Sequence, residues 1–165
     1  MLGIERIAGF SRPARIERAV LDSVGGERKT RRTREGKSMT SALTPVDPPE
    51  LYKSPAFAQG MIAPAARTVY VGGQNGTDAS GALVDGLGPQ TERALRNVLA
   101  VLAAAGTGPE NVPKLTIYLD PTVDPMAAYA ASAAVWPHRT AVTVLAVAPA
   151  REGALVEIEA IAVLP

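Results

Sequence analysis

One long amphipathic segment, set among short runs rich in β-branched residues, constrains the fold of this chain most. Between residues 89 and 105, apolar side chains recur at spacings of three and four, and Gly106 follows, so this segment is predicted to be a helix. A second, alanine-rich helix is predicted from Asp124, a candidate N-cap residue, to about Val135. With only these two helices among several strand-like runs, the fold has to be built around a sheet.

The strand-like runs surround the two predicted helices. Five strands are predicted, at residues 57–62, 68–71, 114–119, 139–144 and 154–162. A glycine-rich loop, 72–76, is expected after the second strand, and a short turn, 149–153, joins the last two. The order β-β-α-β-α-β-β predicts an α+β fold, a sheet with both helices on one face.

The second face of this sheet is expected to be covered. Several apolar residues of the last two strands leave no consistently polar face: Val142, Val144, Val156, Ile158 and Ile161. Apolar surface on a sheet face is buried against something else. We therefore expect a closed homo-oligomer in which subunits cover one another.

Charge divides the chain into a basic head, residues 1–38, and an acidic body, residues 39–165. The head holds ten Lys/Arg against five Asp/Glu, and the body seven against eleven. The head is predicted to be a disordered extension, or an upstream segment if translation begins at Met39. A targeting peptide fits less well because the head contains acidic residues, and a basic nucleic-acid-binding arm is a third hypothesis. The body is expected to be a single domain.

The acidic body lacks the excess of basic residues that binding to nucleic acid requires, so no nucleic-acid partner is expected there. No apolar run reaches the 18 or so residues that a membrane span requires, and a cytoplasmic location is expected. With no cysteine and only His138 as an imidazole, disulfides, thiolate chemistry, a Ser-His-Asp triad and a histidine-rich metal site are disfavoured. Neither a metal nor a cofactor is expected.

Arg139 and the two carboxylates of the last strand are the candidate polar site. A guanidinium on one buried strand and Glu157 on a neighbouring one predict a polar pocket. The alternative is a structural ion pair, Arg139–Glu157 or Arg139–Glu159, because buried charges need partners whatever their purpose. Glu159 shares a strand face with Glu157 and is interpreted as structural.

The body resembles the Rid (reactive intermediate deaminase) family, also called YjgF-like, over about residues 47–163. The resemblance rests on motifs at 69–74, 90–92, 97, 102–106, 114–119 and 139–140, and above all on Val-Glu-Ile-Glu-Ala-Ile-Ala at 156–162. It implies a chorismate-mutase-like subunit of the bacillus type, assembled as a homotrimer with three pockets at subunit interfaces. It also implies hydrolysis of 2-imino acids and enamine tautomers such as 2-aminoacrylate to 2-oxo acids and ammonia, as by 2-iminobutanoate/2-iminopropanoate deaminases.

The resemblance also assigns roles to residues. It implies that Arg139 binds the substrate carboxylate and that Glu157 holds the attacking water. The expected substrate-binding positions are Phe57, Gly72, Gly73, Tyr129 and Ala141. Three of these depart from the family pattern, with phenylalanine in place of a common tyrosine, glycine in place of serine, and tyrosine where asparagine is typical. The loss of hydrogen-bonding groups predicts a more apolar pocket.

Elementary chemistry agrees with that assignment. A planar guanidinium recognises a carboxylate through two hydrogen bonds, and a protonated imine needs only an oriented water and a nearby proton acceptor. Two other functions stay open. One is a non-catalytic sensor of small carboxylates with the same trimeric fold, and the other is ribonuclease activity or inhibition of translation, which the acidic body and its few aromatic residues disfavour.

Overall fold

The computed structural model describes residues 43–165. The predicted extension 1–38 and the expected domain start at Met39 lie outside the described residues. The elements, in chain order, are β1 (Thr44–Val46), β2 (Gly60–Ile62), β3 (Thr68–Asn75), α1 (Leu87–Ala104), a 3-10 turn (Pro109–Asn111), β4 (Lys114–Leu119), α2 (Pro125–Ala133), β5 (Ala141–Ala146) and β6 (Val156–Val163). Both helices and the five predicted strands are confirmed, with ends shifted by a few residues, and β1 is an additional strand.

A four-stranded mixed sheet forms the centre of the fold. Its strand order is β3-β6-β4-β5, in which β6 is antiparallel to both neighbours and β4 runs parallel to β5. The helices α1 and α2 pack on one face of this sheet and against each other, while β1 and β2 form a separate antiparallel pair. The predicted α+β architecture, a mixed sheet with two helices on one face, is confirmed.

The expectation that the strands of Arg139 and Glu157 are neighbours was wrong. β4 lies between β5 and β6, because β4, α2 and β5 form a parallel crossover that places β5 at the edge of the sheet. The connection after β5 then leads the chain past β4, so that β6 pairs on its other side. Arg139 itself precedes β5, which begins at Ala141.

The core lies between the sheet and α1. Four residues of β6 are almost completely buried: Val156, Ile158, Ala160 and Ala162. They meet Leu95, Val98 and Leu102 of α1, and each side chain of this size stabilises the fold by about 1.5–3 kcal/mol when buried. Because side chains of a strand alternate, burial of these residues sends Glu157 and Glu159 to the opposite face.

The ends of both helices follow from their local sequences. Gly106, at φ +79°, closes α1: its N–H donates to the Ala103 carbonyl and the Thr107 N–H donates to the Leu102 carbonyl, the Schellman pattern. At the start of α2 the Asp124 carboxylate accepts a 2.9 Å hydrogen bond from the Met126 N–H, which confirms the predicted N-cap. α2 therefore begins at a fixed point on one side of the candidate site.

The second face of the sheet is more polar than expected. Val142, Val144, Val156 and Ile158 lie on the helix side, and of the five residues used for the oligomer argument only Ile161 lies on the other side. The register of the strands explains this arrangement. Directly paired residues point to the same face of a sheet, so the paired apolar residues of neighbouring strands all lie on one face. The homo-oligomer stays a prediction, but these residues do not support it.

Two local predictions also need correction. Gly72 and Gly73 lie inside β3 as a bulge opposite Glu159, not in a loop after it. An amphipathic helix is expected to turn its polar face, which includes Asn97, to solvent. Asn97 is instead half-buried and donates hydrogen bonds to the Asn75 and Thr77 carbonyls at 3.1 and 3.0 Å. It therefore ties α1 to the end of β3. No helix within residues 43–165 is both long and apolar enough to cross a membrane.

Candidate functional site

A cavity of about 470 Å³ opens between α2 and the edge of the sheet. Phe57, Tyr129 and Arg139 line it, and we call these three residues the arginine cluster. They come from three separate elements: the segment before β2, the helix α2 and the segment before β5. The structure thus brings together three of the residues that the sequence singled out.

The Arg139 guanidinium is anchored through one nitrogen. Its Nη2 donates to Asp47 Oδ2 at 3.0 Å and to the carbonyls of Phe57 and Ser54 at 3.0 and 3.2 Å. Its Nε is buried without a hydrogen-bond partner, and its Nη1 makes no hydrogen bond to any of residues 43–165. A buried N–H without a partner is uncommon and unfavourable. The side chain is therefore fixed, while its Nη1 has no acceptor within residues 43–165.

Asp47 is the ion-pair partner of Arg139. The predicted alternative pairs, Arg139–Glu157 and Arg139–Glu159, were wrong, because β4 separates the strands concerned and the guanidinium points to the segment before β2. The Asp47 carboxylate is only 11% exposed and also accepts from the Gln59 N–H at 2.9 Å. That backbone hydrogen bond, followed by the Arg139 guanidinium, holds the pKa of Asp47 below its usual value.

The rest of the cavity wall is mainly apolar. Side chains of the core and of both helices line it, together with the aromatic rings of Trp136 and Phe57. His138 is half-buried and lies edge-on to Trp136, with ring centroids 6.0 Å apart. The mainly apolar lining of this cavity is consistent with the predicted apolar character of the pocket beside Arg139.

A second group, Gly73, Asn75 and Glu157, lies on the opposite face, and we call it the glutamate cluster. The Asn75 amide donates to Glu157 Oε2 at 3.3 Å and to the Val156 carbonyl at 3.2 Å. A Cβ added at Gly73 would overlap the Glu157 carboxylate, so the glycine makes room for it. The bulge in β3 thus places bare backbone against this carboxylate.

The remaining predicted positions lie near these groups. Gly72 is exposed in the bulge, and Ala141 opens β5 with its N–H donating to the Pro113 carbonyl at 3.2 Å, so that N–H is not free for a ligand. Tyr118 donates to Glu159 Oε1 at 3.2 Å. Burial, followed by the neighbouring Glu159, raises the pKa of Tyr118. Glu159 therefore has a structural partner on β4.

Within one chain the two clusters are far apart. Glu157 aligns across the sheet with Tyr118 and Leu145, whereas Arg139 lies two residues before Ala141. The four residue steps from Ala141 to Leu145 span about 13 Å along the strand, and the two strand spacings from β5 to β6 add about 10 Å across it. Arg139 and Glu157 also belong to different faces of the sheet. One subunit therefore cannot place both beside one small molecule.

Sequence reasoning missed Asp47. It lies 92 positions from Arg139, in a proline-rich segment for which no element is predicted. A single carboxylate in such a segment gives no periodic signal. Within residues 43–165, no group of three or more His, Asp or Glu residues is arranged to hold a metal ion.

Comparisons with known proteins identify relatives of this chain. The family model described as Endoribonuclease L-PSP matches residues 50–164. No curated protein matches the chain. Among solved structures, YyfB from Yersinia pestis, a protein of the conserved Rid family described as of unknown function, is 31% identical, with a TM-score of 0.67 over 76% of this chain and 100% of that chain.

Two further structures are similar. An Entamoeba histolytica protein described as a putative endoribonuclease L-PSP is 31% identical, with a TM-score of 0.56, 74% of this chain and 99% of that chain being covered. RidA from the Antarctic bacterium Psychrobacter sp. is 27% identical, with a TM-score of 0.56, 68% of this chain and 92% of that chain being covered. The family match over most of the described residues, together with these structures, shows that the chain belongs to the Rid (YjgF-like) family.

Proposed function

We propose that this protein is an enamine/imine deaminase that hydrolyses 2-imino acids to 2-oxo acids and ammonia. The observation that carries the proposal is the state of Arg139, which is anchored through Nη2 beside a cavity while Nε and Nη1 lack partners among residues 43–165. A substrate carboxylate on this guanidinium would accept a hydrogen bond from Nη1, which has no acceptor within residues 43–165. The imine carbon then lies next to the guanidinium, at the mouth of the cavity.

Glu157 supplies the second function, that of proton acceptor. It is half-buried, held by the Asn75 amide, and free of any ion pair to residues 43–165. Such a carboxylate can orient a water and accept its proton, a task that contributes on the order of 10²- to 10⁴-fold to a rate. No covalent nucleophile is needed, because an imine protonated on nitrogen is already electrophilic.

The reaction balances with these two groups. Water adds to C2 as Glu157 accepts its proton, and the electron pair of the C=N π bond moves to nitrogen. The proton then passes from Glu157 to the amine nitrogen. The C–N bond breaks as the new hydroxyl becomes a carbonyl and gives its proton to Glu157, which passes it to solvent. The products are a 2-oxo acid and ammonia, and Arg139 holds the carboxylate throughout.

The proposed site is built from two copies of the chain. Because the arginine cluster and the glutamate cluster lie at opposite ends and on opposite faces of one sheet, a complete site needs Arg139 of one subunit and Glu157 of another. A closed ring of three subunits would form three such sites. The homotrimer with interfacial sites is thus part of the proposal.

The first experiment measures 2-oxo acid and ammonia release from imino acids generated in situ by an amino-acid oxidase. We expect the protein to accelerate hydrolysis above the spontaneous rate, and Arg139→Ala and Glu157→Gln each to remove most of that acceleration. Unchanged acceleration in both variants would show that neither residue belongs to the active site.

Mixing the two inactive variants tests the shared site directly. After dissociation and reassembly of equal amounts of Arg139→Ala and Glu157→Gln, about one site in four combines an intact Arg139 with an intact Glu157 across an interface of a cyclic trimer. We expect activity near that fraction of the wild type. A mixture of verified mixed oligomers that stays as inactive as its components would contradict the two-copy site.

The same measurements separate the deaminase from a carboxylate sensor. A sensor needs Arg139 and its cavity but has no use for the proton acceptor, so 2-oxo acids would bind to the protein without any acceleration of imine hydrolysis. RNA cleavage is not proposed, because residues 43–165 carry seven Lys/Arg against eleven Asp/Glu, a poor match to a polyanion.

A further inference from the structure

The cavity beside Arg139 is far larger than a small imino acid requires. Its volume of about 470 Å³ falls within the range of about 300–1,000 Å³ that is typical of sites for drug-sized ligands. It extends from Arg139 to residues of the core, including Leu95, Leu115 and Leu119, each at most 3% exposed. A substrate held at Arg139 with only a methyl side chain would leave most of this space unfilled.

Three polar side chains of the wall have already donated their hydrogens to other groups of the protein. Trp136 Nε1 donates to the Thr140 hydroxyl at 3.2 Å, Ser132 Oγ to the Tyr129 carbonyl at 2.7 Å, and Thr91 Oγ1 to the Leu87 carbonyl at 2.8 Å. These three groups therefore offer no donor to a ligand. A polar or charged substituent that entered the cavity would lose its hydration without compensation from them.

We propose that the protein selects 2-imino acids with a bulky apolar side chain, of the size of leucine, methionine or phenylalanine, over small or polar ones. This inference rests on the proposed function, in that Arg139 binds the carboxylate. The substrate then has its charge on the guanidinium and its side chain among Phe57, Trp136 and the core leucines. Each additional carbon of the side chain exchanges water for the apolar wall, which favours the larger substrate.

Two measurements test the selectivity. Hydrolysis is compared for imino acids derived from leucine, phenylalanine, alanine and glutamine, and binding is measured by calorimetry for 4-methyl-2-oxopentanoate and pyruvate. We expect kcat/KM for the leucine-derived imine to exceed that for the alanine-derived imine by about tenfold or more, and the Kd values of the two oxo acids to differ in the same direction.

A pair of variants on α2 locates the effect. Ala133 lines the cavity and is exposed, so Ala133→Phe fills part of the space without displacing the core. Ala130, on the same helix, is exposed and does not line the cavity, so Ala130→Phe is the matched control. We expect Ala133→Phe to reduce kcat/KM for the leucine-derived imine about fivefold or more, to change that for the alanine-derived imine little, and Ala130→Phe to change neither.

The outcomes separate this inference from the proposed function. Equal or faster turnover of the alanine-derived imine, or an equal loss for both substrates in Ala133→Phe, would overturn the selectivity and leave the deaminase intact. No acceleration for any imine, with 4-methyl-2-oxopentanoate still binding about tenfold more tightly than pyruvate, would overturn the deaminase and support the apolar cavity as a ligand site. If neither oxo acid binds, the inference fails.

Discussion

The arginine cluster and the glutamate cluster are both parts of one proposed site, yet they are fixed in different ways. Glu157 is the second residue of β6 and is paired on both sides, with Asn75 of β3 and Tyr118 of β4, so the two ladders set its position. Arg139 lies before the edge strand β5 and is fixed by three hydrogen bonds from Nη2 to the segment around residues 47–57. The glutamate cluster therefore depends on the sheet, and the arginine cluster on side-chain contacts between loops.

The largest expected effect comes from the glutamate cluster. In Gly73→Ala the new methyl group occupies the position of the Glu157 carboxylate, which has to move. We expect kcat to fall by about 10²-fold or more, the contribution of a correctly placed general base, with little change in KM. Steady-state kinetics, together with the denaturation midpoint, separate this loss from unfolding.

Gly72→Ala is the comparison for that prediction. A Cβ at Gly72 meets no atom within 4 Å, although the residue belongs to the same bulge. We expect a much smaller loss of kcat than in Gly73→Ala. Equal losses in the two variants would mean that the bulge backbone, rather than the Glu157 carboxylate, is what matters.

Arg139→Lys tests the arginine cluster with the charge retained. An ammonium group has three donors on one nitrogen and cannot hold Asp47, the Ser54 and Phe57 carbonyls and a substrate carboxylate at the same time. We expect kcat/KM to fall by about 10- to 100-fold, the equivalent of one charged hydrogen bond, mainly through KM. An unchanged KM would indicate that the carboxylate binds elsewhere.

Asp124→Ala tests whether weakening α2 affects the arginine cluster and leaves the glutamate cluster unchanged. Loss of the N-cap is expected to lower the free energy of unfolding by about 1 kcal/mol, measured by urea denaturation. Because α2 carries Tyr129 and forms a wall of the cavity, KM for bulky substrates should rise as well. If Asp124→Ala also lowered kcat as much as Gly73→Ala does, the arginine cluster and the glutamate cluster would not be independent.

The smallest expected effect concerns pH. The pKa of Asp47 is lowered in the folded protein, so its ionised form favours folding above the ordinary value of 3.8, and this contribution is lost as the pH falls below that value. Asp47→Asn should therefore lose stability at pH 7 and show a shallower decrease between pH 4 and pH 3. Denaturation midpoints across that range provide the measurement, and parallel curves for the two proteins would contradict the assignment.

Features with a periodic or local sequence pattern could be predicted, whereas features that depend on single long-range contacts could not. The apolar periodicity of α1, the N-cap at Asp124 and the alternation around Glu157 each report a regular geometry, so their positions could be predicted. The order of strands could not, because the β5–β6 connection gives no indication that β4 lies between them. Residue types alone likewise did not show that Val142 and Val156 both lie on the helix side of the sheet.

The candidate site shows the same division. Arg139 and Glu157 are predicted from their residue types in apolar runs, and the resemblance adds Phe57, Gly73 and Tyr129 as candidates. Asp47 could not be found this way, since its contact with Arg139 depends on how a proline-rich segment folds back on the sheet. The bulge was missed because two glycines after β-branched residues are as typical of a loop as of a bulge.

The strand order has a consequence for how the protein folds. β6 follows every other element of the described chain, yet it lies between β3 and β4 and forms both of their antiparallel ladders. In a nascent chain that has not reached residue 163, β3 and β4 therefore still lack the strand that pairs with both of them. The hydrogen bonds that β6 later forms with these two strands all join residues that are far apart in the sequence. Such long-range pairing slows folding and leaves unpaired strand edges exposed in the meantime. The strand that carries Glu157 is thus also the one whose arrival completes the sheet.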